Sequence, residues 1–437
     1  MPTPNIIYIH SHDTGRYIQP YGHAIPTPNL QRLAEEGALF RQAFCAAPTC
    51  SPSRAALLTG QSAHNSGMTG LVNRGWQLAD YNQHLVNTLK PAGYQTVLAG
   101  LQHVAPDPAM IGFDQIRTPQ SRHAKDVAPV AVDFLNNAPQ QPFFLDVGFF
   151  ETHRKFPEIG PDDDPRYTRP PAPLPDTPAT RRDTAAYITM ARELDRGIGQ
   201  VLDALDANGL ADNTLVIATT DHGVAFPGCK CNLTDHGMGI MLILRGPGGF
   251  TGGRAIDAMV SHIDIFPTLC DLLAIDPPDW LQGASMLPLL RGETDAIHDA
   301  VFAEVSYHAA YEPQRAVRTQ RYKYIRRYVA EQTDHTGPVL PNCDDSLSKE
   351  VWMKHGWAER TIPDEQLYDL VFDPNETHNL ADAPTTQATL AELRDRLDHW
   401  MADTDDPLLQ GGVAAPSGAQ VNPVTESSPN GEVEIVP

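Results

Sequence analysis

Residues 214–223 read Thr-Leu-Val-Ile-Ala-Thr-Thr-Asp-His-Gly, an apolar, β-branched run that stops on an acid and an imidazole. Thr214–Thr219 is the clearest strand of the chain, and Asp221-His222 lies just past its carboxyl end. The pattern repeats on either side. Asn5–Ile9 (Asn-Ile-Ile-Tyr-Ile) reads as a buried strand running into His10, Ser11, His12 and Asp13, and Pro142–Phe150 as one running into Glu151–Lys155. Thr96–Ala99 and Met241–Leu244 read as further strands, the second followed by the turn Arg245-Gly246-Pro247-Gly248-Gly249. Helical signals fall between them. Thr27 and Pro28 open one helix as N-cap and first residue, Leu30, Leu33 and Ala34 form its apolar face, and Gly37 closes it. Ser53–Leu58 is predicted helical just after Pro52, and Ala185–Leu205 carries apolar residues at helical spacing. Strands alternating with helices predict an α/β fold, a large, mostly parallel sheet sandwiched by helices. Ligands of such sheets bind beyond the carboxyl ends of the strands. All three polar clusters fall there, which predicts one active site.

From about His298 the texture changes. Ala316–Arg318, Tyr322–Ile325 and Gln366–Leu370 are short strands separated by turns, predicting a small antiparallel sheet, and Gln387–Met401 is a helix with Leu390, Leu393, Leu397 and Trp400 on one side. After Ala402 the chain is rich in Pro, Gly, Ser and Asn, the composition of a flexible tail or of a segment laid over a neighbour. The expected organisation is a catalytic α/β domain over 1–297, a smaller C-terminal subdomain over 298–402 and a flexible tail over 403–437.

Composition narrows the function. With 41% hydrophobic residues among 437, the chain is apolar enough for a large core, and its 39 prolines imply many irregular connections. The balance of 54 acidic against 32 basic residues gives a net charge of -22. That argues against nucleic acid as a partner, which needs a basic face, and requires any anion site to be a local positive pocket. Six cysteines in a chain this long are not a disulfide framework. Cys229 and Cys231 are too close for an ordinary bridge and, with no second cluster, are weak metal ligands. No run is long and apolar enough to span a bilayer, so no membrane partner is expected. Met1-Pro2-Thr3-Pro4 leads into a strand without a basic-then-apolar leader, so a cytoplasmic location is expected; a leader removed beforehand would leave the protein periplasmic or secreted.

Cys50-Ser51-Pro52-Ser53-Arg54, continuing Ala55-Ala56-Leu57-Leu58-Thr59-Gly60, resembles the signature of the formylglycine-dependent sulfatases of the alkaline-phosphatase-like superfamily. In that family the Cys is oxidised to an aldehyde that hydrates to a geminal diol. The resemblance makes Cys50 the precursor of the nucleophile and Arg54 the cation that holds the hydrate. A sulfate ester is an anion that resists attack, so the attacking oxygen must be activated by a metal and delivered in line. The second hydroxyl of the diol then expels sulfate by deprotonation. By the same resemblance His12, Asp13, Asp221, His222 and the modified Cys50 hold a divalent metal, His12 standing where the family has an acid. The resemblance implies calcium (Ca2+); two imidazoles favour manganese (Mn2+) over an ion that prefers all-oxygen shells. Gly100-Leu101-Gln102-His103 is similar to the family's Gly-Lys-x-His stretch, with His103 kept and Leu101 in place of the Lys. His153, in Glu151-Thr152-His153-Arg154-Lys155, matches the His that contacts sulfate and helps protonate the leaving oxygen. Arg154 and Lys155 are expected to bind substrate and restore the lost positive charge. Lys230 matches the sulfate-binding Lys, and His236 is a further, weaker expectation for substrate binding. Val260–Leu269, Gln366–Leu370, Asp373–Glu376 and Asn379-Leu380 resemble family segments too, as packing and turn elements, so the resemblance spans residues 4–382. The texture of His10–Arg16 with His153-Arg154 is most similar to the heparan N-sulfatase-like branch.

The resemblance therefore implies a sulfatase that hydrolyses a sulfate ester or sulfamate on a small molecule or saccharide, matured by a formylglycine-generating enzyme. In the implied mechanism the diol attacks sulfur, aided by Asp13, Asp221 and the metal. His153 or Lys230 helps the leaving group depart, and His103 takes the proton that lets sulfate leave. Lys230 and Arg54 counter the charge on the sulfuryl oxygens. His222 and Leu101 keep open a phosphonate monoester hydrolase or phosphodiesterase of the same superfamily. His12 and Leu101 motivate a third reading, an inactive sulfatase-like binding protein. Loops expected to set specificity run over Glu158–Thr177 and Glu331–Thr361.

Overall fold

The computed structural model describes residues 2–437. Eight strands form one sheet: β1 (Asn5–Ser11), β2 (Ala38–Phe44), β3 (Gln95–Gly100), β4 (Gln115–Arg117), β5 (Phe143–Gly148), β6 (Thr214–Thr220), β7 (Leu242–Arg245) and β8 (Arg254–Ser261). Their order is β4-β3-β5-β1-β6-β7-β2-β8, and β7 alone runs against the rest. The large, mostly parallel sheet expected from the sequence is present. β1, β5 and β6 are buried along their whole length, as strands covered on both faces must be. β2 and β8 escape the sequence pattern for a visible reason. Polar Arg41 and Gln42 interrupt β2, and the first half of the edge strand β8 alternates half-buried with exposed residues.

Helices Pro28–Glu36, Ala124–Asn136 and Pro178–Ala207 cover one face, packing Leu33, Val127 and Leu202 against Ile7, Val147 and Val216. Each such fully buried side chain contributes about 1.5–3 kcal/mol. The Thr27-Pro28 start and Gly37 stop are as predicted, but the cap comes from elsewhere: the amides of Asn29 (3.1 Å) and Leu30 (2.9 Å) donate to Asp195. The other face carries helix Cys50–Thr59, which starts at Cys50 rather than after Pro52, so the cysteine occupies the first turn.

A second sheet, β9 (Ala300–Tyr307), β10 (Tyr311–Thr319), β11 (Tyr322–Arg327) and β12 (Glu365–Asp369), is antiparallel in the order β12-β11-β10-β9. Its apolar side and helix Gln387–Asp403 belong to the same continuous core cluster as the face bearing Cys50–Thr59. The 403–437 segment, expected as a flexible tail, instead has defined structure: β13 (Gln420–Val421) pairs with β14 (Glu434–Ile435). It is held by Arg74, which donates to Asn422 Oδ1 at 2.8 Å and to the Pro429 carbonyl at 3.1 Å. The reason is a charge that linear composition conceals, one arginine whose several donors match carbonyls of the returning chain. Among the described residues no helix is long and apolar enough to cross a membrane.

Candidate active site

The carboxyl ends of β1, β3, β5 and β6 meet at one edge of the sheet, and the N-terminus of helix Cys50–Thr59 points into the same region. The strands approach closely there because Gly148, paired with His10 and Gly100, has no side chain; a Cβ would sit 1.9 Å from the Leu101 carbonyl oxygen. Past β1, Asp13 takes a left-handed backbone (φ +54°), and past β3 His103 does the same (φ +58°). Such conformations are rare for non-glycine residues and concentrate at functional sites.

Five side chains converge. One ligand atom from each of His12, Asp13, Cys50, Asp221 and His222 lies within 4.8 Å of all the others, and all five residues are buried. His12 Nδ1 is 2.7 Å from Asp13 Oδ1 and 3.1 Å from Asp221 Oδ2; His222 Nε2 is 3.3 Å from Asp13 Oδ1 and 3.5 Å from Cys50 Sγ. Burial opposes ionisation of Asp13, yet Lys230, His12, His153 and His222 hold it well below the usual carboxylate range. Asp221 is held low in the same way, against burial, by His222, His12 and Arg54. Burial pushes His12 down to about 4, so its imidazole is neutral with a lone pair to offer. Two carboxylates and two imidazoles in one buried cluster fit a divalent cation. Burial also pushes the Cys50 thiol up, which keeps it protonated.

The cations are arranged around this cluster. Arg54 Nη2 donates at 2.9 Å to both Asp221 Oδ2 and the Ser11 carbonyl, and Nη1 meets His10 Nδ1, whose other nitrogen is 2.9 Å from Asp146 Oδ1. Lys230, on the loop past β6, is buried and donates to Asp13 Oδ2 at 3.0 Å and Asp344 Oδ2 at 3.1 Å. Burial opposes its charge, but Asp13 and Asp344 hold its pKa well above the ordinary value. His153 Nε2 lies 4.0 Å from Asp13 Oδ2, with its ring 4.5 Å from that of His12. His103 reaches the same space, its ring 5.8 Å from His12 and its Nε2 3.2 Å from Asn73 Oδ1, and burial holds its pKa well below normal. Cys50, His12, His103, His153 and Lys155 line one cavity of about 800 Å³ with Asp344.

Two expectations need correction. Arg154 does line the cavity, but its guanidinium is spent on structure. It forms a paired contact with Asp183 at 2.8 and 2.9 Å, donates to the Ala225 carbonyl at 2.7 Å, and lies over the rings of Phe156 and Phe226. Lys155 and Arg122, by contrast, are exposed at the rim with no ion pair among the described residues. His236 faces a separate cavity of about 660 Å³ and sits 3.0 Å from the Tyr17 hydroxyl, because the turn after Lys230 carries it to the other side of the loop. Cys229 and Cys231 are free thiols outside the five-residue cluster. Leu101, where a lysine was missed, is buried, so no cation enters from that strand. Residues that the sequence did not single out are Asp344 and His308. The first falls inside the Glu331–Thr361 loop flagged for specificity; the second sits at a hairpin tip and carries no linear signal.

Comparison with known proteins agrees with this geometry. A family model described as "Sulfatase" matches residues 4–275, and one described as "N-sulphoglucosamine sulphohydrolase, C-terminal" matches residues 230–336. The chain is 32% identical over 450 residues to the human (Homo sapiens) N-sulphoglucosamine sulphohydrolase, an alignment covering 90% of this chain and 88% of that protein. Among solved structures it resembles one described as a complex with its substrate D-glucosamine-2-N,6-O-disulfate (TM-score 0.72, 20% identity, covering 92% of this chain and 98% of that one). The phosphonate monoester hydrolase of Agrobacterium radiobacter shares the fold as well (TM-score 0.69, 21% identity, 94% and 100% covered).

Proposed function

We propose a substrate and a division of labour for this chain, which belongs to the sulfatase family: it hydrolyses a sulfate ester or sulfamate carried by a carbohydrate. The observation that supports this reading most is the position of Cys50, which lines an open cavity with its Sγ 3.5 Å from His222 Nε2 and 4.0 Å from Asp13 Oδ1. The relative with 32% identity is named for sulfohydrolysis of an N-sulfated amino sugar, and a structural neighbour binds a sulfated glucosamine, which supports the carbohydrate half.

The reading requires Cys50 to be converted to formylglycine. A divalent cation held by His12, Asp13, Asp221 and His222 supplies Lewis-acid activation and charge neutralisation, with calcium and manganese the two ions proposed. The chain's own side chains do the rest. Helix Cys50–Thr59 fixes residue 50 in its first turn, and Arg54, one turn on, keeps its guanidinium beside Asp221 and the nucleophile. Lys230 lies where negative charge builds on the sulfuryl oxygens. His153 is the exposed-side imidazole, placed to donate a proton to the leaving oxygen or nitrogen. His103, half-buried with its pKa held low, is placed to accept the proton released when sulfate departs. With Leu101 in place of a lysine, Lys230 is the buried lysine left beside the metal-ligand cluster to counter charge on sulfate.

The phosphonate alternative rests on His222, on Leu101 in place of a lysine and on a fold shared at 21% identity. One experiment tests both. The purified protein, with the mass of the Cys50 peptide measured, is assayed on glucosamine N-sulfate, glucosamine 6-sulfate, 4-nitrophenyl sulfate and a 4-nitrophenyl phosphonate monoester. The expected result is an aldehyde at position 50 and a preference for a sulfated sugar, abolished by Cys50→Ala. Faster turnover of the phosphonate than of every sulfate refutes the proposal.

A further inference from the structure

The cavity wall beside Lys230 and the metal-ligand cluster is built by the C-terminal half of the chain, and it is polar in a specific way. His308 lies at the tip of the β9–β10 hairpin, between Tyr307 and Tyr311, and lines the cavity. It is only 6% exposed, and its buried Nδ1 has no hydrogen-bond partner among the described residues. A buried ring nitrogen without a partner costs about 1–3 kcal/mol, which marks His308 as a polar side chain that the surrounding protein leaves unsatisfied. Asp344 is its neighbour on the same wall. Its Oδ2 accepts from Lys230 at 3.1 Å, while no contact among the described residues engages its Oδ1.

The two side chains are held as one unit. Asn342, two residues before Asp344, accepts from the amides of Ala309 (2.9 Å) and Ala310 (2.8 Å) at the hairpin tip and donates to Glu312 at 2.8 Å. Lys349 clamps the loop from behind through the carbonyls of Leu340 (3.0 Å) and Cys343 (2.7 Å) and through Asp345 at 3.0 Å. A site whose polar atoms are fixed before the ligand arrives gains selectivity, because the ordering cost is already met.

This wall disfavours the anionic sulfuryl group, since Asp344 repels an anion and Lys230 is held between Asp344 and Asp13. We propose that His308 and Asp344 form the subsite for the part of the substrate that leaves, and that they select a ring bearing hydroxyls. A ring hydroxyl donates to Asp344 Oδ1 and a second hydroxyl exchanges a hydrogen bond with His308. This rests on the carbohydrate reading above and extends it to the residues that enforce it. A site built to hydrogen-bond a hydroxyl discriminates steeply against an analogue that lacks it.

The test compares kcat/KM for the sulfated sugar that the wild-type holoenzyme prefers with kcat/KM for 4-nitrophenyl sulfate, which has no hydroxyls. His308→Ala and Asp344→Ala are each expected to lose at least about tenfold on the sugar relative to their own loss on the aryl ester. Deoxy analogues of the sugar, assayed on wild type, are expected to lose at least about tenfold at one ring position, which keeps the test open if a variant misfolds. Equal losses on both esters, or no deoxy analogue losing more than about twofold, overturn the subsite. Wild-type turnover of the aryl ester with none of any sulfated sugar instead sinks the carbohydrate reading on which it stands.

Discussion

Replacing Lys230 by methionine removes one charge from the active site while keeping the length and apolar body of the side chain. The ammonium sits 3.0 Å from Asp13 Oδ2 and 3.1 Å from Asp344 Oδ2, and it is 4% exposed. A preorganised donor aimed at developing charge in a water-poor site is worth about 2.7–4 kcal/mol, or about 10²–10³ in kcat. Lys230→Met is therefore expected to lower kcat on a sulfated substrate by about two to three orders of magnitude. The ion pairs add a second, separable effect. Asp13 loses the cation that most favours its charge, so divalent-metal binding by the variant is expected to be unchanged or tighter. The assay has three parts: steady-state kinetics, a metal titration of the chelated protein followed by thermal shift, and the unfolding midpoint without metal. A kcat within about tenfold of wild type, in a folded and aldehyde-bearing variant, refutes the role of Lys230 in stabilising charge on sulfate. A large kcat loss that excess metal restores would assign Lys230 to organising the metal site instead.

Arg315 is fully buried, with Asp406 at 2.5 and 2.9 Å and Glu304 at 3.4 Å, so Arg315→Leu strands a buried carboxylate and is expected to cost about 3–5 kcal/mol in urea unfolding. Arg315→Leu with Asp406→Asn is expected to recover more than half of that loss, and no recovery in the double variant contradicts the pairing. His64 and Glu304, 2.9 Å apart, make stability depend on pH. Burial opposes the charge on each, but His64 and Arg315 hold Glu304 down to about 2 and Glu304 raises His64. Glu304's contribution is complete above its ordinary 4.5 and is lost as pH falls toward about 2. His64's is complete below its ordinary 6.5 and is lost as pH rises through the raised value. Glu304→Gln is expected to flatten both limbs of the denaturation midpoint plotted against pH, and two unchanged limbs count against the pair. His12→Asp exchanges an imidazole for a carboxylate in the metal cluster, so activity restored after chelation should shift toward calcium over manganese; the same ion preference in both proteins would remove His12 from the ligand set.

The chemistry of this protein was legible in its sequence because it is local. Ile6–Ile9 and Leu215–Ala218 are continuous apolar runs, since strands covered on both faces have no polar side, and each strand delivers its polar pair at a known end. Cys50 and Arg54 are one helical turn apart, so five consecutive residues specify both the proposed nucleophile and its proposed cation. What lay beyond local reading was the destination of each charge. Arg154 and Lys155 are adjacent in sequence, yet one is consumed by Asp183 and two aromatic rings while the other is free at the rim. The segment after Ala402 has the composition of a tail and is nonetheless tied to the cavity rim by Arg74, more than 340 positions away in sequence. His308 and Asp344 join the site only because a β-hairpin of the second sheet and a loop from between its strands lean over the first sheet, bound together through Asn342. Strand burial and helical spacing are set by neighbours a few residues away; the pairing of a buried charge is set by whichever partner the packed core brings within 3 Å. The first is written in the order of the residues, and the second exists only once the chain has folded.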